Sequence, residues 1–289
     1  MTTYHNSVIE GLNVFYREAG PKEGKPLVLL HGFPSSSHMF RDLIPRLADT
    51  FHLIAPDYIG FGYSAHPSVK EFSYTFDNLA KKLEALLFGT LGLKRFSIFV
   101  QDYGAPVGFR IASQHPDSVE GVVVQNGNAY IEGVSEAFAP FKPFWDNRTP
   151  ETEAPIRSML TAEMTKFQYT HGAKDASKIS PDSYTFDQSF LNRPGNDLVQ
   201  LNLFHDYQLN VMLYPKWQEY FRDKQPPTLI TWGKNDPFFT VAGAEAFLRD
   251  LPRAELHLLN TGHFALEEES ETIANHIRRF LGGPPTRRV

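Results

Sequence analysis

The stretch that decides the fold is FSIFVQDYGAPVG, residues 96–108. Its first part, Phe96 to Val100, is typical of a short strand buried on both faces of a sheet. The strand ends in a polar pair, Gln101 and Asp102, and helical spacing begins after a glycine and a proline. A buried strand that turns sharply through an aspartate into a helix would present that carboxylate at the edge of the sheet.

Size and composition place the chain among globular proteins. Its 289 residues are 42% hydrophobic and 21% charged, proportions that allow a substantial core. The formal net charge of −5 gives no electrostatic reason to expect nucleic acid or an anionic membrane as partner. There is no cysteine, no signal-peptide pattern at the start and no run approaching the ~20 apolar residues of a membrane span. We therefore expect a cytoplasmic protein without disulfides.

Strand-like runs alternate with helical stretches on both sides of the opening segment. The first 20 residues predict a hairpin, and buried strands are predicted at residues 26–30, 52–57, 121–126, 227–233 and 255–260. Helical spacing occurs at residues 38–47, 74–91, 107–116, 242–250 and 270–281. Alternation at such short intervals predicts the α/β class, with a mostly parallel central sheet covered by helices on both faces.

The middle of the chain departs from this alternation. Between Ala129 and Phe221 there is no convincing buried strand, only aromatic-rich helical stretches interrupted by prolines. We therefore divide the chain into a first core segment (1–128), a mainly helical insertion (129–221) and a second core segment (222–289). The insertion is expected to cap the carboxyl ends of the strands, and the terminal GGPPTRRV is expected to be a frayed tail.

Polar residues at strand ends are the first candidates for a site, because ligands bind beyond the carboxyl ends of the strands in an open parallel sheet. Four stand out: His31 in HGFP, Asp102, Asp236 in WGKNDPF and His263 in NTGHFALEE. Asp102, Asp236 and His263 follow the chain order of nucleophile, acid and histidine in a hydrolase triad, with aspartate where the G-x-S-x-G turn has serine.

In combination, these motifs resemble the α/β-hydrolase fold superfamily, in its epoxide hydrolase and haloalkane dehalogenase branch, where the nucleophile is a carboxylate. HGFP resembles the oxyanion-hole segment of that branch, DYIGFGYS (57–64) its D-x-x-G-x-G-x-S turn and VQDYG its nucleophile turn. WGKNDP and TGHF resemble its acid and base segments. The resemblance runs from Val28 to Leu281 and implies an α/β-hydrolase core with an inserted helical cap.

The chemistry of these residue types is compatible with that resemblance. A carboxylate such as Asp102 attacks an electrophilic carbon without a base and forms a covalent alkyl ester. His263, oriented by Asp236, then activates the water that hydrolyses the ester. Backbone N–H groups of Phe33 and Tyr103 would stabilise the oxyanion. No metal or organic cofactor is required, and the expected partners are a small apolar substrate and water.

Each of these residues also has a plain structural interpretation. A strand-end aspartate is often a helix N-cap, and an aspartate before proline, such as Asp236, is often a turn residue. The combination of Asp102 with Asp236 and His263 favours catalysis. We interpret His31 as the residue that holds the loop presenting Phe33, and Asp57 as a turn residue.

The reaction depends on which groups stabilise the departing atom. In the branch that this sequence resembles, epoxide hydrolases use two cap tyrosines, whereas dehalogenases use indole N–H donors, usually including a tryptophan directly after the nucleophile. Tyr103 occupies that position here, and Tyr207 resembles the second epoxide-opening tyrosine. We therefore predict an epoxide hydrolase that converts an apolar epoxide to a diol.

The sequence leaves the partner of Tyr207 open, because the position that aligns with the other cap tyrosine is Phe138. Candidates for the second hydroxyl are Tyr130, Tyr169 and Tyr184. The residues predicted to line the substrate site from the cap are Tyr207, Phe138, Trp145 and Tyr169.

Other functions remain open from the sequence. Haloalkane dehalogenase is the main alternative, since the VQD and GHF segments look closer to that class and Trp145 or Trp217 would supply an indole. Lesser alternatives are an ester or lactone hydrolase and a non-catalytic member of the fold that binds a small ligand. The oligomeric state is not predicted.

Overall fold

A single eight-stranded sheet forms the centre of the computed structural model, which describes residues 1–282. The strands are β1 (Thr3–Ile9), β2 (Leu12–Ala19), β3 (Lys25–Leu30), β4 (Phe51–Pro56), β5 (Phe96–Gln101), β6 (Val119–Gln125), β7 (Thr228–Gly233) and β8 (Glu255–Leu259). Their spatial order is β1-β2-β4-β3-β5-β6-β7-β8. β2 pairs antiparallel with β1 and β4, and all other neighbours are parallel. The predicted mostly parallel α/β sheet is confirmed.

Ten α-helices occur in the same range: α1 (Leu43–Leu47), α2 (Phe76–Glu84), α3 (Gly104–Gln114), α4 (Phe141–Asp146), α5 (Pro150–Arg157), α6 (Ala162–Thr170), α7 (Pro181–Leu191), α8 (Asn196–Lys224), α9 (Val241–Asp250) and α10 (Leu266–Leu281). Helices α4 to α8 lie between β6 and β7 in the chain. α8 continues three residues past the boundary predicted at residue 221. Residues 283–289, which include most of the predicted frayed tail, lie outside the described range.

Two helices are shorter than the sequence predicted. The stretch predicted as one helix over 38–47 is a 3₁₀ turn, Ser37–Phe40, followed by α1. Pro45 explains the division, because its ring and missing N–H prevent an α-helix from extending back through the preceding turn. The helix predicted over 74–91 is α2 followed by a π-helical segment, Ala85–Thr90.

Alternating strand residues divide the core into two layers, one on each face of the sheet. In β3, Val28 and Leu30 belong to the layer under α2, α3 and α9, whereas Leu27 and Leu29 belong to the layer under α1 and α10. This is the period-two alternation expected of a strand buried on both faces. In the part of the chain that is described, none of the helices is long and apolar enough to cross a membrane.

The turn between β5 and α3 is tightly constrained. Asp102 has a φ of +50°, a left-handed conformation that is strained for a residue with a Cβ. A Cβ at Gly104 would lie 2.1 Å from the carbonyl oxygen of Leu30, so the start of α3 packs directly on β3. Val100, where serine-type turns prefer glycine, is accommodated because Gly108 opposite it has no side chain.

We predict that Gly104→Ala destabilises the protein by at least ~2 kcal/mol, because the new methyl group meets backbone rather than a movable side chain. Gly89→Ala is the matched control, since Gly89 is exposed in the π-helical segment with no atom within 4 Å of an added Cβ. That control should lie within ~1 kcal/mol of wild type. Urea denaturation measures both, and equal unfolding free energies would contradict the tight packing of α3 on β3.

Candidate active site

Three of the strand-end residues singled out from the sequence meet at the carboxyl edge of the sheet. Asp102 follows β5, Asp236 lies in the loop after β7, and His263 lies in the loop after β8. The Nδ1 atom of His263 is 2.7 Å from Oδ2 of Asp236, and its Nε2 atom is 3.9 Å from Oδ2 of Asp102. All three side chains are buried. The parallel register of the strands brings together residues that are far apart in the chain.

The two oxygens of the Asp102 carboxylate have different surroundings. Oδ1 accepts a hydrogen bond from the backbone N–H of Phe33 at 2.7 Å, whereas Oδ2 faces His263. Burial raises the pKa of Asp102 to about 6, although the charge of His263 and the N–H groups of Phe33 and Tyr103 favour the ionised form. The carboxylate is thus ionised at neutral pH, with Oδ2 available to react.

The loop after β3 approaches Asp102 closely because it contains Gly32, where a Cβ would lie 2.2 Å from the Cβ of Asp102. The buried side chain of His31 stabilises this loop. Its Nε2 atom accepts from the N–H of Tyr58 at 3.3 Å, so Nδ1–H donates to the carbonyl of Gly32 at 3.1 Å. Burial lowers the pKa of His31 to about 3, and the imidazole stays neutral. These contacts are those of a residue that shapes the loop.

Asp57 fixes the neighbouring turn. Its two carboxylate oxygens accept from the N–H groups of Ser37 at 2.7 Å and Tyr63 at 2.8 Å. A third nearby contact is the hydroxyl of Ser64, which donates to the carbonyl of Asp57 at 2.6 Å. The Asp57 side chain therefore stabilises the backbone of this turn.

Asn126, at the end of β6, was not singled out from the sequence although it contacts two of the three central residues. Its side-chain amide nitrogen donates to Oδ2 of Asp236 at 2.8 Å, and its backbone carbonyl accepts from the N–H of Asp102 at 3.1 Å. The other oxygen of Asp236 accepts from the N–H of Phe238 at 2.8 Å. The search for polar residues at strand ends, extended to β6, would have found Asn126.

His263 is held in one tautomer by its two partners. The amide nitrogen of Gln101 lies 2.8 Å from Nε2, so Nε2 accepts from that amide while Nδ1–H donates to Asp236. Burial lowers the pKa of His263, but the charge of Asp236, the hydrogen bond to it and the charge of Asp102 together outweigh burial and raise it. In the neutral imidazole Nε2 is therefore the unprotonated nitrogen, and it lies 3.9 Å from Oδ2 of Asp102, where a general base is needed.

A small cavity separates Asp102 from the helices between β6 and β7. The volume of this cavity is about 40 Å³. The sheet side contributes Phe33, Asp102, Tyr103 and His263, and the helical side contributes Phe138, Gln168 and Tyr207. Most of the remaining lining is aromatic or aliphatic. Such a cavity suits a small apolar molecule positioned by a few polar groups.

Buried polar contacts anchor α8, and with it Tyr207, to the core. The guanidinium of Arg110 on α3 donates to Asp77 at 2.5 Å and to Asn210 at 2.6 Å. One turn earlier on α8, Asp206 accepts from the N–H of Phe76 at 2.8 Å. These contacts lie on both sides of Tyr207 in the sequence, so they fix its height above Asp102.

Two residues predicted to line the substrate site are not among the cavity residues. The indole N–H of Trp145 donates to the carbonyl of Phe204 at 2.8 Å. The hydroxyl of Tyr169 donates to Asp187 at 2.5 Å, and its ring stacks on Phe264 with centroids 3.9 Å apart. The side chains of Trp145 and Tyr169 therefore stabilise the packing of the helices, and their polar atoms already have partners.

The other candidates for a second phenolic donor also lie elsewhere. The hydroxyl of Tyr130 donates to Asp250 at 2.8 Å, and Tyr184 lines a surface groove. The hydroxyl of Tyr103, by contrast, is buried without a partner in a residue that lines the cavity. Within residues 1–282, no group of three or more histidine, aspartate or glutamate side chains is arranged to hold a metal ion.

Comparisons with known proteins agree with this architecture. A family model described as the alpha/beta hydrolase fold matches residues 25–270. The chain is 42% identical over 274 residues to an uncharacterized hydrolase of Saccharomyces cerevisiae, with 93% of each chain covered. It is 39% identical over 285 residues to a haloalkane dehalogenase of Mycobacterium marinum, covering 92% of this chain and 88% of that protein. The solved structure of an epoxide hydrolase, CorEH, superposes with a TM-score of 0.77 at 22% identity, covering 98% and 99%.

We predict that Asp236→Asn lowers the pKa of His263 by roughly 1–3 pH units, because the charge that offsets burial of the imidazole is removed. Imidazole ¹⁵N chemical shifts followed against pH measure the change. His31 is the internal control, since its pKa of about 3 keeps it neutral from pH 5 to 8 in both proteins. An unchanged or higher midpoint for His263 would show that Asp236 does not stabilise the imidazolium.

Proposed function

Because the chain belongs to the α/β-hydrolase fold family, we propose that it is an epoxide hydrolase acting through a covalent ester on Asp102. In this proposal residues 129–221 form the cap, Asp236 and His263 are the acid and base, and the substrate is a small apolar epoxide. The relatives of this family described above include both dehalogenases and epoxide hydrolases, so the choice depends on the cavity.

The observation that carries the proposal is that Tyr207 lines the same cavity as Asp102, while none of the three tryptophans in residues 1–282 lines it. Ring opening produces an alkoxide, which needs a proton, and a phenol can supply one. Burial, Tyr214 and the charge of Asp102 raise the pKa of Tyr207 well above its usual value, so its proton is present at neutral pH. Tyr103, with its unpartnered hydroxyl, would be the second donor.

In the first step, Oδ2 of Asp102 attacks one epoxide carbon and the bond from that carbon to the ring oxygen breaks. The ring oxygen takes the proton of Tyr207 and becomes the first hydroxyl of the product. Oδ1 becomes the carbonyl oxygen of the new ester and keeps its hydrogen bond from Phe33, 2.7 Å away in the free protein. The negative charge passes from Asp102 to the phenolate.

In the second step, Nε2 of His263 takes a proton from water, and the hydroxide attacks the ester carbonyl carbon. Negative charge develops on Oδ1, where the N–H of Phe33 already donates, with that of Tyr103 beside it. The bond from the carbonyl carbon to Oδ2 then breaks, and the alkyl oxygen leaves with the proton from His263. The diol is then complete, and transfer of the remaining proton from the Asp102 carboxylic acid to the Tyr207 phenolate restores both groups.

Haloalkane dehalogenation is the second candidate, favoured by the 39% identity to the dehalogenase of Mycobacterium marinum. The same attack by Asp102 would then release a halide. Hydroxyl groups of Tyr103 and Tyr207 would have to stabilise it in place of indole N–H groups.

We predict that the protein converts styrene oxide to its diol and that Tyr207→Phe lowers kcat/KM by about 10²-fold, because the proton donor to the alkoxide is lost. Asp102→Ala should abolish the reaction. Tyr220→Phe is the matched control, as Tyr220 is another buried α8 tyrosine that does not line this cavity. Diol is measured by chromatography, with 1-bromobutane tested in parallel for halide release. Bromide release without diol formation would assign the second candidate function instead.

Single turnover in H₂¹⁸O tests the covalent step. With protein in excess over styrene oxide, we expect no label in the first diol, because its new oxygen comes from Oδ2 of Asp102. The label should enter the Asp102 carboxylate, and a proteolytic peptide containing Asp102 should gain about 2 Da by mass spectrometry. Label in the first diol would mean that water attacks the epoxide directly.

A further inference from the structure

One polar residue in the cavity has no role in the steps above. Gln168, on α6, lines the cavity and is only 3% exposed. Its amide nitrogen is buried and has no hydrogen-bond partner among the described residues. An unsatisfied buried amide costs roughly 1–3 kcal/mol, so its presence calls for a physical reason.

A neighbouring glutamine shows that this part of the protein can satisfy an amide. Gln188, on α7, donates to the carbonyl of Leu160 at 3.1 Å and to Asn192 at 2.8 Å, and accepts from Thr165 at 2.7 Å. Gln168 lies one helical turn from Thr165, yet its amide nitrogen has no such partner. Gln168 borders the cavity that contains Asp102, whereas Gln188 borders a separate surface groove.

We propose that Gln168 is a specificity-determining residue whose amide N–H binds an oxygen atom on the substrate, distinct from the epoxide oxygen. This inference rests on the proposed function and narrows its substrate class. The substrate would be an apolar epoxide that carries a second, uncharged oxygen function, such as a hydroxyl, ether or carbonyl group.

The charges and shape of the cavity support an uncharged acceptor. No lysine or arginine of residues 1–282 lines it, and Asp102 would repel an anionic substituent. An ammonium group would be a donor and would not satisfy the amide N–H. Phe141, Met159 and Phe238 are among the apolar residues that remain to contact a hydrocarbon portion.

The test compares 1,2-epoxyoctane with a series of isosteric ethers. In each ether one oxygen atom replaces one methylene, at a different position in the chain, and butyl glycidyl ether is one member of the series. For wild type we expect at least one ether to exceed the hydrocarbon about tenfold in kcat/KM. In Gln168→Leu that ratio should fall to about one or invert, because the unpaired amide is replaced by an apolar group of similar size. Gln208→Leu, a glutamine outside the cavity on α8, should keep the wild-type ratio.

Thermal denaturation of the ligand-free variants gives a second readout. Gln168→Leu should melt at or above the wild-type temperature, since a buried amide without a partner is removed. A clearly lower melting temperature would assign the amide a structural role and overturn the inference. So would hydrolysis of all the epoxides at equal rates by wild type, or an ether preference unchanged in Gln168→Leu.

Failure of the proposed function has a different signature, in which wild type hydrolyses none of the epoxides. The same pairs are then compared with a terminal bromide in place of the epoxide, and bromide release is measured. If Gln168→Leu keeps the wild-type ratio of kcat/KM between ether and hydrocarbon bromides, the inference is overturned for the bromide series as well. Without turnover of either series, the melting temperature of Gln168→Leu decides between a ligand-facing and a structural amide.

Discussion

Burial of the Asp102 carboxylate is the constraint on which the rest of the site depends. A charged group removed from water is unstable unless other groups stabilise it, and burial alone would favour the protonated acid. The N–H of Phe33 and the neighbouring His263 favour the ionised form, and Asp102 retains a pKa of about 6. Only one of its oxygens is engaged by the backbone. The arrangement therefore preserves a reactive oxygen and a charge at the same time.

This balance depends on the positions of the loops after β3, β5, β7 and β8. Gly32 and Gly104 allow the backbone of one strand end to approach the next, at distances that no side chain would permit. Asn126 then joins the turn at Asp102 to the loop at Asp236 through its backbone carbonyl and its side-chain amide. The site is thus supported by strand ends, while the opposite wall of the cavity comes from helices.

The two walls differ in what they contribute. The sheet side carries the charged and hydrogen-bonded groups, with Gln101 and Asp236 fixing the tautomer of His263. The helical side is aromatic or aliphatic apart from Tyr207 and Gln168, whose polar groups we assign to substrate. In the proposed mechanism the sheet side supplies the nucleophile and the base, and the helical side supplies the proton donor Tyr207 and the contact of Gln168 with substrate.

The sequence by itself determined the α/β class, the family and the grouping of Asp102, Asp236 and His263. All three depend on local patterns, namely buried strands, sharp turns and short motifs. The sequence did not determine which side chains of residues 129–221 reach the cavity. Trp145 and Tyr169 have the right chemistry, but their polar atoms are bonded elsewhere, whereas Gln168 has no distinguishing motif. Those outcomes depend on helix packing, which sets the rotation and height of each side chain over a distant strand. Only the tertiary structure fixes those two quantities.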